Sequence, residues 1–228
     1  MVSDADRAAE AAIASLLRAE RPDDGLVGEE GTAAEGSSGR RWVVDPLDGT
    51  TNYLYGLPQW AVSVAVEDSS GALAGVVFDP AAGELFRAAR GAGAELAGPR
   101  GGDPARPLRV RDGADLSRSL VATGFGYEPG WRAEQAAAAA RVLPRVRDIR
   151  RAGAAALDLA WLAAGRLDGY WERGLKPWDW AAGRLLVTEA GGAVAELEGE
   201  RHGLVAAGPA LLPELVELVA AAEREAAR

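Results

Sequence analysis

An apolar segment, Trp42-Val43-Val44, runs directly into Asp45-Pro46-Leu47-Asp48-Gly49-Thr50-Thr51-Asn52, so that a strand ends on two carboxylates, a glycine and two hydroxyls. A fold that accommodates this segment must bury the strand and still bring its acids to an open end. The fixed φ of Pro46 predicts a tight turn, which would converge Asp45 and Asp48 on one small volume. Gly49 permits close approach of backbone to a ligand. The amides of Gly49, Thr50 and Thr51 would open the following segment, where unpaired N–H groups and the helix dipole favour an anion. Asp, Pro and Gly are ordinary turn residues, but a turn does not explain the density of acids. Two neighbouring carboxylates repel and raise each other's pKa unless a cation or hydrogen bonds compensate. The segment therefore has the composition of a metal and phosphate site.

The rest of the composition narrows the chemistry. With 228 residues and 48% hydrophobic content, the chain can bury a sizeable core. There is no cysteine, which excludes a thiol nucleophile, and His202 is the only histidine, which excludes multi-histidine metal sites. Lys176 is the only lysine, so nearly all positive charge is arginine, a poor base. Carboxylates must carry most of the chemistry. A net charge of −9 argues against nucleic-acid partners, although metals can reverse the local field for a phosphate. No apolar run approaches a membrane span of roughly 18 residues, and the beginning of the chain, with Asp4, Asp6, Arg7 and Glu10, lacks a secretory signal. A cytoplasmic location with no membrane partner is the expectation.

Periodicity predicts an amphipathic helix over residues 4 to 20, with Ala8, Ala9, Ala12, Ile13, Leu16 and Leu17 on one side and Asp6, Arg7, Glu10 and Arg18 elsewhere. A short apolar step at Leu26-Val27 follows, then a flexible loop from Thr32 to Gly39. Strands are predicted at 41 to 44, 60 to 67, 73 to 79 and 84 to 89, the second and third pairing antiparallel across Ser69-Ser70-Gly71. After a Gly/Pro/Arg-rich stretch at 98 to 107 come short strands near 119 to 122 and 147 to 149 around an alanine-rich helix at 131 to 141. Helices at 153 to 165, 178 to 190 and 209 to 226 then alternate with strands near 168 to 172, 193 to 197 and 203 to 206. The pattern reads as one layered α+β domain over 1–228, with a more antiparallel half (1–100) and a more alternating half (101–228).

Gly28-Glu29-Glu30, Asp45-Pro46-Leu47-Asp48-Gly49-Thr50-Thr51-Asn52 and Trp178-Asp179-Trp180-Ala181-Ala182-Gly183, taken in this order, resemble the inositol monophosphatase family of metal-dependent, lithium-sensitive phosphatases. The likeness extends to Val2-Ser3-Asp4-Ala5-Asp6, Ala154-Ala155-Ala156-Leu157-Asp158-Leu159-Ala160 and Glu189-Ala190-Gly191-Gly192. It implies a five-layered αβαβα sandwich and Mg²⁺-dependent hydrolysis of a phosphate monoester. The resemblance makes Glu29, Asp45 and the Leu47 carbonyl ligands of one Mg²⁺, and Asp45, Asp48 and Asp179 ligands of a second. It places phosphate on Gly49, Thr50 and Thr51, assigns Thr50 and Asp6 to the attacking water, and puts Ala155 and Glu172 in the substrate pocket. Mg²⁺ suits an all-oxygen set, and two metals about 3.5 to 4 Å apart can clamp attacking and leaving oxygens. The family's usual first N-terminal helical segment is lacking before Asp6, which implies a more open entrance and an incomplete third-metal position. The expected substrate is inositol 1-phosphate or a related polyol or sugar phosphate, and the expected assembly a homodimer.

Other readings compete. Histidinol phosphate or fructose 1,6-bisphosphate would suit a member of the same family, and a non-catalytic metal- or phosphate-binding relative would keep the fold without turnover. A haloacid-dehalogenase-type phosphatase also has a strand ending in Asp, but spaces its aspartates two apart, not three. Arg201-His202-Gly203 lacks the partners of a histidine phosphatase and reads as a turn leading into Leu204-Val205-Ala206-Ala207. Trp178 and Trp180 are expected to orient Asp179, and Asp158 to be a buried hydrogen-bonding residue.

Overall fold

The computed structural model describes residues 2–98, 104–113, 115–199 and 201–226. The composition shift near residue 100, the one internal boundary suggested by the sequence, falls largely at 99–103, outside the described residues. Helix α1 (Asp4–Glu20) opens on a capping box in which the Ser3 hydroxyl accepts from the Asp6 amide at 3.3 Å and an Asp6 carboxylate oxygen accepts from the Ser3 amide at 2.8 Å. It buries Ala14 against Leu26 and Val44, with Ile13 and Leu17 alongside, and leaves Leu16 exposed.

Among the described residues the first sheet has eight strands: β1 (Gly25–Gly28), β2 (Ala33–Ala34), β3 (Arg41–Asp48), β4 (Ala61–Asp68), β5 (Gly71–Asp79), β6 (Glu84–Ala89), β7 (Gly93–Ala97) and β8 (Arg106–Pro107), in the order β2-β1-β3-β4-β5-β6-β7-β8. All neighbours are antiparallel except β1 and β3. The five-residue helix α2 (Thr50–Leu54) follows β3. The second sheet contains β9 (Leu120–Thr123), β10 (Asp148–Arg150), β11 (Gly169–Arg173), β12 (Ala193–Leu197) and β13 (Gly203–Ala207), in the order β10-β9-β11-β13-β12, with β10, β9 and β11 parallel.

Helices α4 (Ala155–Ala163) and α5 (Pro177–Glu189) lie between the sheets, while α3 (Pro129–Val142) and α6 (Leu212–Ala226) cover the far face of the second. With α1 outside the first sheet, the layers run α-β-α-β-α, as the resemblance implies. Both halves share one apolar core that joins Val43, Val77 and Phe86 to Leu157, Leu159, Leu186 and Leu204. Each such fully buried side chain contributes roughly 1.5–3 kcal/mol.

Small residues let the layers approach closely. A Cβ on Gly75 would stand 2.9 Å from the Ala182 Cα, and one on Gly183 would stand 2.6 Å from the Leu159 Cβ. These contacts pull α5 against β5 and α4, and they explain the alanine- and glycine-rich character of the central helices.

Three local expectations are corrected. Asp45-Pro46-Leu47-Asp48 is not a tight turn: β3 continues to Asp48, and the pairing with β4 shifts register between Asp45 and Asp48 as an irregularity of bulge type. Pro lacks a donor but is tolerated at such a shift. The segment Thr32 to Gly39 is not wholly loop, because Ala33 and Ala34 pair with β1. The strands β7 and β8, which the periodicity did not indicate, extend the sheet. Both are short, and β8 contains Pro107, so neither shows a sustained alternating pattern.

Candidate active site

Asp45 and Asp48 stand at the end of β3, on either side of the register shift. Asp45 is buried, and its Oδ1 accepts from the Leu47 amide at 2.9 Å. Asp48 Oδ2 accepts from the Ala156 amide at 2.6 Å. That amide belongs to the first turn of α4, whose N-cap, Ala154, has no side-chain acceptor, so Asp48 caps a helix of the middle layer from the preceding sheet. Asp179 Oδ2 accepts from the Lys176 amide at 2.6 Å. Each of these three aspartates is therefore fixed through one oxygen by a backbone N–H, which leaves the other oxygen for a ligand. Glu29 follows β1, its amide donating to Val44 O at 3.1 Å, and its carboxylate lies close enough to Asp45 for the two charges to act on each other.

The electrostatics are severe. Burial, then the charges of Asp48, Glu29 and Asp179, holds the Asp45 carboxyl well above its ordinary range. Burial and Asp179 do the same to Asp48, with the Ala156 amide opposing. Partial desolvation, then the charges of Asp6 and Glu10, raises Glu29, although the residue reaches the surface. Asp179 is pushed up to about 7, chiefly by burial, against the stabilising Lys176 amide. Among the described residues none of the four has an Arg or Lys within salt-bridge distance.

Unpaired, amide-anchored carboxylates with free oxygens are a donor set that fits a hard divalent cation. Among the described residues, however, no three acidic side chains are gathered tightly enough to enclose an ion by themselves. The Asp45–Asp48–Asp179 set expected for a second ion is brought into one region, where the three charges act on one another, but is not closed around one point.

Asp6 and Thr50, 44 positions apart, meet: the Thr50 hydroxyl lies 3.0 Å from Asp6 Oδ1 and 3.1 Å from the Leu47 carbonyl. Gly49 is left-handed at φ 93° and caps α2, and an added Cβ would stand 2.9 Å from Gln59 O and 3.2 Å from the Ala154 Cβ just before α4. Gly49→Ala should cost about 1–3 kcal/mol through backbone strain alone, measurable by urea unfolding. Thr51 is half-buried on α2, and Ala155 begins α4 beside the Ala156 amide that Asp48 caps. Asn52 donates to Gln59 O at 2.6 Å and Ala152 O at 2.7 Å, tying α2 to the approach to α4.

Glu172, near the end of β11, accepts from the Tyr170 hydroxyl at 2.7 Å and is raised to about 7 by burial, with that hydrogen bond opposing. A cavity of about 390 Å³ reaches Glu172 past Thr123, Gly124 and Phe125. A larger one, about 740 Å³, lies over Val64, Val66 and Val76 and contains none of these acids.

The sequence reading missed two contributors. Tyr170, two residues before Glu172, shares its strand face. Glu10 is buried and binds the turn carrying Glu29; its i+4 relation to Asp6 puts the two on one face of α1 but does not show what covers that face.

Other expectations change. Asp179, at the third helical position of α5, takes its orientation from the Lys176 amide. Neither flanking indole hydrogen-bonds it: Trp178 uses its carbonyl to accept from Ser63, and Trp180 lies against His202, its ring nitrogen unpartnered. Asp158 is buried, but its Oδ1 has no hydrogen-bond partner. His202 immediately precedes β13.

Comparison with known proteins bears on the family and the fold. The profile of the inositol monophosphatase family matches residues 1–228. An inositol-1-monophosphatase of Rhizobium meliloti is 46% identical over 200 residues, covering 87% of this chain and 73% of that protein. Nus factor SuhB of Escherichia coli is 44% identical over 204 residues, covering 87% and 72%. The crystal structure of the suppressor protein SuhB from Bartonella henselae superposes with a TM-score of 0.87 at 42% identity, covering 96% of this chain and 85% of that one. Members of the family are generally metal-dependent. The match along the whole chain, in the same five-layered fold, places the protein in the inositol monophosphatase family, as a phosphomonoesterase.

Proposed function

We propose that the protein is a Mg²⁺-dependent phosphatase acting on inositol 1-phosphate or a related polyol or sugar phosphate. The observation that carries this reading is the convergence of Asp45, Asp48 and Asp179, each anchored through one oxygen, beside the Thr50–Asp6 pair. Glu29, Asp45 and the Leu47 carbonyl would hold one ion, and Asp45, Asp48 and Asp179 a second. The chemistry that bound Mg²⁺ supplies is neutralisation of the phosphate charge and polarisation of its P–O bonds.

The remaining work falls to the chain. The amides of Gly49, Thr50 and Thr51 at the start of α2 receive phosphate oxygens. A water donates to Thr50 Oγ1, which donates onward to Asp6 Oδ1, so the pair orients the water and accepts its proton as oxygen bonds to phosphorus. The P–O ester bond breaks, and the departing alcohol takes a proton from solvent. No covalent enzyme intermediate is required, and catalysis rests on positioning and electrostatics. Glu172, backed by Tyr170, receives substrate hydroxyls next to Ala155.

The test is phosphate release from inositol 1-phosphate, fructose 1,6-bisphosphate and histidinol phosphate with Mg²⁺. Much faster turnover of histidinol phosphate than of inositol 1-phosphate would overturn the substrate assignment. Glu172→Gln is expected to weaken kcat/KM for inositol 1-phosphate by about ten- to a hundred-fold, as for loss of a hydrogen bond to a charged group, while p-nitrophenyl phosphate, which has no hydroxyls to recognise, changes little. Equal losses on both substrates would remove Glu172 from recognition.

A further inference from the structure

Glu10 lies on α1 one helical turn beyond Asp6, and both are buried, at 3% and 0% exposure. A buried carboxylate is costly unless its oxygens are satisfied. Both oxygens of Glu10 are used on the same short segment: Oε2 accepts from the Glu30 amide at 2.9 Å and Oε1 from the Thr32 amide at 2.9 Å. The two N–H groups flank Gly31, which is left-handed at φ 100°, and Gly28 N donates to Thr32 O at 2.8 Å across the same turn. Gly28 has no Cβ where one would collide with the Glu10 carboxyl. The carboxylate thus fills the space left by a glycine and clasps a turn whose remaining member is Glu29. The helix that bears it is itself held to β1 and β3 through Ala14, Leu26 and Val44.

We propose that Glu10 is a positioning residue that holds the Gly28–Thr32 turn so that the Glu29 carboxylate faces Asp45. The inference rests on the functional reading above in that Glu29 is taken as a ligand of Mg²⁺. It assigns α1 two duties on one face, Asp6 toward the attacking water and Glu10 toward the metal side. Gln is nearly isosteric with Glu but presents an NH₂ to one of the two amides, so Glu10→Gln releases one end of the turn without emptying the space.

The experiment measures Mg²⁺ binding calorimetrically for wild type, Glu10→Gln, Glu29→Gln and the double variant, with Glu20→Gln at the end of the same helix as control. Amide exchange at Glu30 and Thr32 is followed in EDTA. Glu10→Gln should weaken one Mg²⁺ binding step by about ten-fold, the scale of a residue that orients a ligand. It should speed exchange at Glu30 and Thr32, and add nothing further in the Glu29→Gln background because the two act as one unit. Glu20→Gln should match wild type.

Mg²⁺ binding by Glu10→Gln within two-fold of wild type, when Glu29→Gln weakens it, overturns the proposal, as do additive losses in the double variant. A wild type that binds no Mg²⁺ defeats the metal-dependent reading itself and is recognised from that titration alone. If Glu10→Gln does not fold, Glu10→Asp, which keeps the charge but is one methylene short, serves in the same comparison.

Discussion

Replacing Asp45 with Asn is expected to lower kcat/KM for a phosphate monoester by on the order of a thousand-fold, about 4 kcal/mol of transition-state stabilisation, while raising the melting temperature of the metal-free protein. Both effects follow from one placement. Asp45 is buried, and its carboxyl is pressed by the charges of Asp48, Glu29 and Asp179. The amide of Asn preserves the size and the acceptor for the Leu47 N–H, so local structure should survive. The variant loses the negative charge that both proposed ions share, and with it the like-charge repulsion that burdens the unliganded fold. Activity and stability should therefore move in opposite directions, as at sites whose function requires a destabilising arrangement. Steady-state kinetics with saturating Mg²⁺ and thermal melts in EDTA check the two halves. Near wild-type turnover in Asp45→Asn would defeat the site assignment, and a lower melting temperature would mean that Asp45 is primarily structural.

In EDTA the protein is expected to lose stability as pH rises from about 4 to about 7, and Mg²⁺ should restore it at pH 8. Asp179 is raised from an ordinary 3.8, and Glu172 from an ordinary 4.5, each to about 7. Below pH 4 the folded and unfolded chains both hold these protons. Between the two pKa values the unfolded chain releases them while the folded chain retains them, so unfolding becomes progressively easier until the folded groups also ionise. A displacement of about three units corresponds to on the order of 4 kcal/mol, and the groups interact, so their effects do not simply add. The acids with lowered pKa, Asp24, Asp68, Asp148 and Glu196, have the opposite sign but act at lower pH. Urea unfolding at half-unit pH steps with EDTA or Mg²⁺ measures the effect. A flat profile in EDTA from pH 4.5 to 8, or no response to Mg²⁺ at pH 8, would contradict the charge-repulsion account of the acid cluster.

The fold was most legible where side-chain periodicity was strong. Helix α1 was predicted over 4 to 20 and spans Asp4–Glu20, and the strand at 193 to 197 is β12 as predicted. The alternation in Ala61, Ser63 and Ala65 against Val62, Val64 and Val66 is visible in burial, the first set buried and the second half-buried. Legibility failed where structure depends on distant partners. The pairing of Ala33-Ala34 with β1 has no local signature, and β8 is a two-residue strand that includes a proline. At Pro46 local turn propensity pointed one way, but pairing with β4 on either side of a register shift kept Asp45 to Asp48 in the strand.

The same division runs through the active site. The residues Asp45, Asp48, Gly49 and Thr50 could be selected from sequence because acids, glycine and hydroxyls at fixed spacing carry their own chemical meaning, whereas Asp179 was selected through the family resemblance. Their partners could not be selected in this way. Ala156 and Lys176 act through backbone amides, which every non-proline residue possesses, so their side chains carry no signal. Glu10 looked like one more charge on an amphipathic helix because periodicity separates apolar from polar faces but does not reveal which polar residue will be covered. By itself the sequence determined which chemistry this protein carries, since its carboxylates and single histidine limit the available groups. Only the tertiary structure decided how those carboxylates are held, because the amides and buried turns that orient them come from chain segments up to 108 residues away.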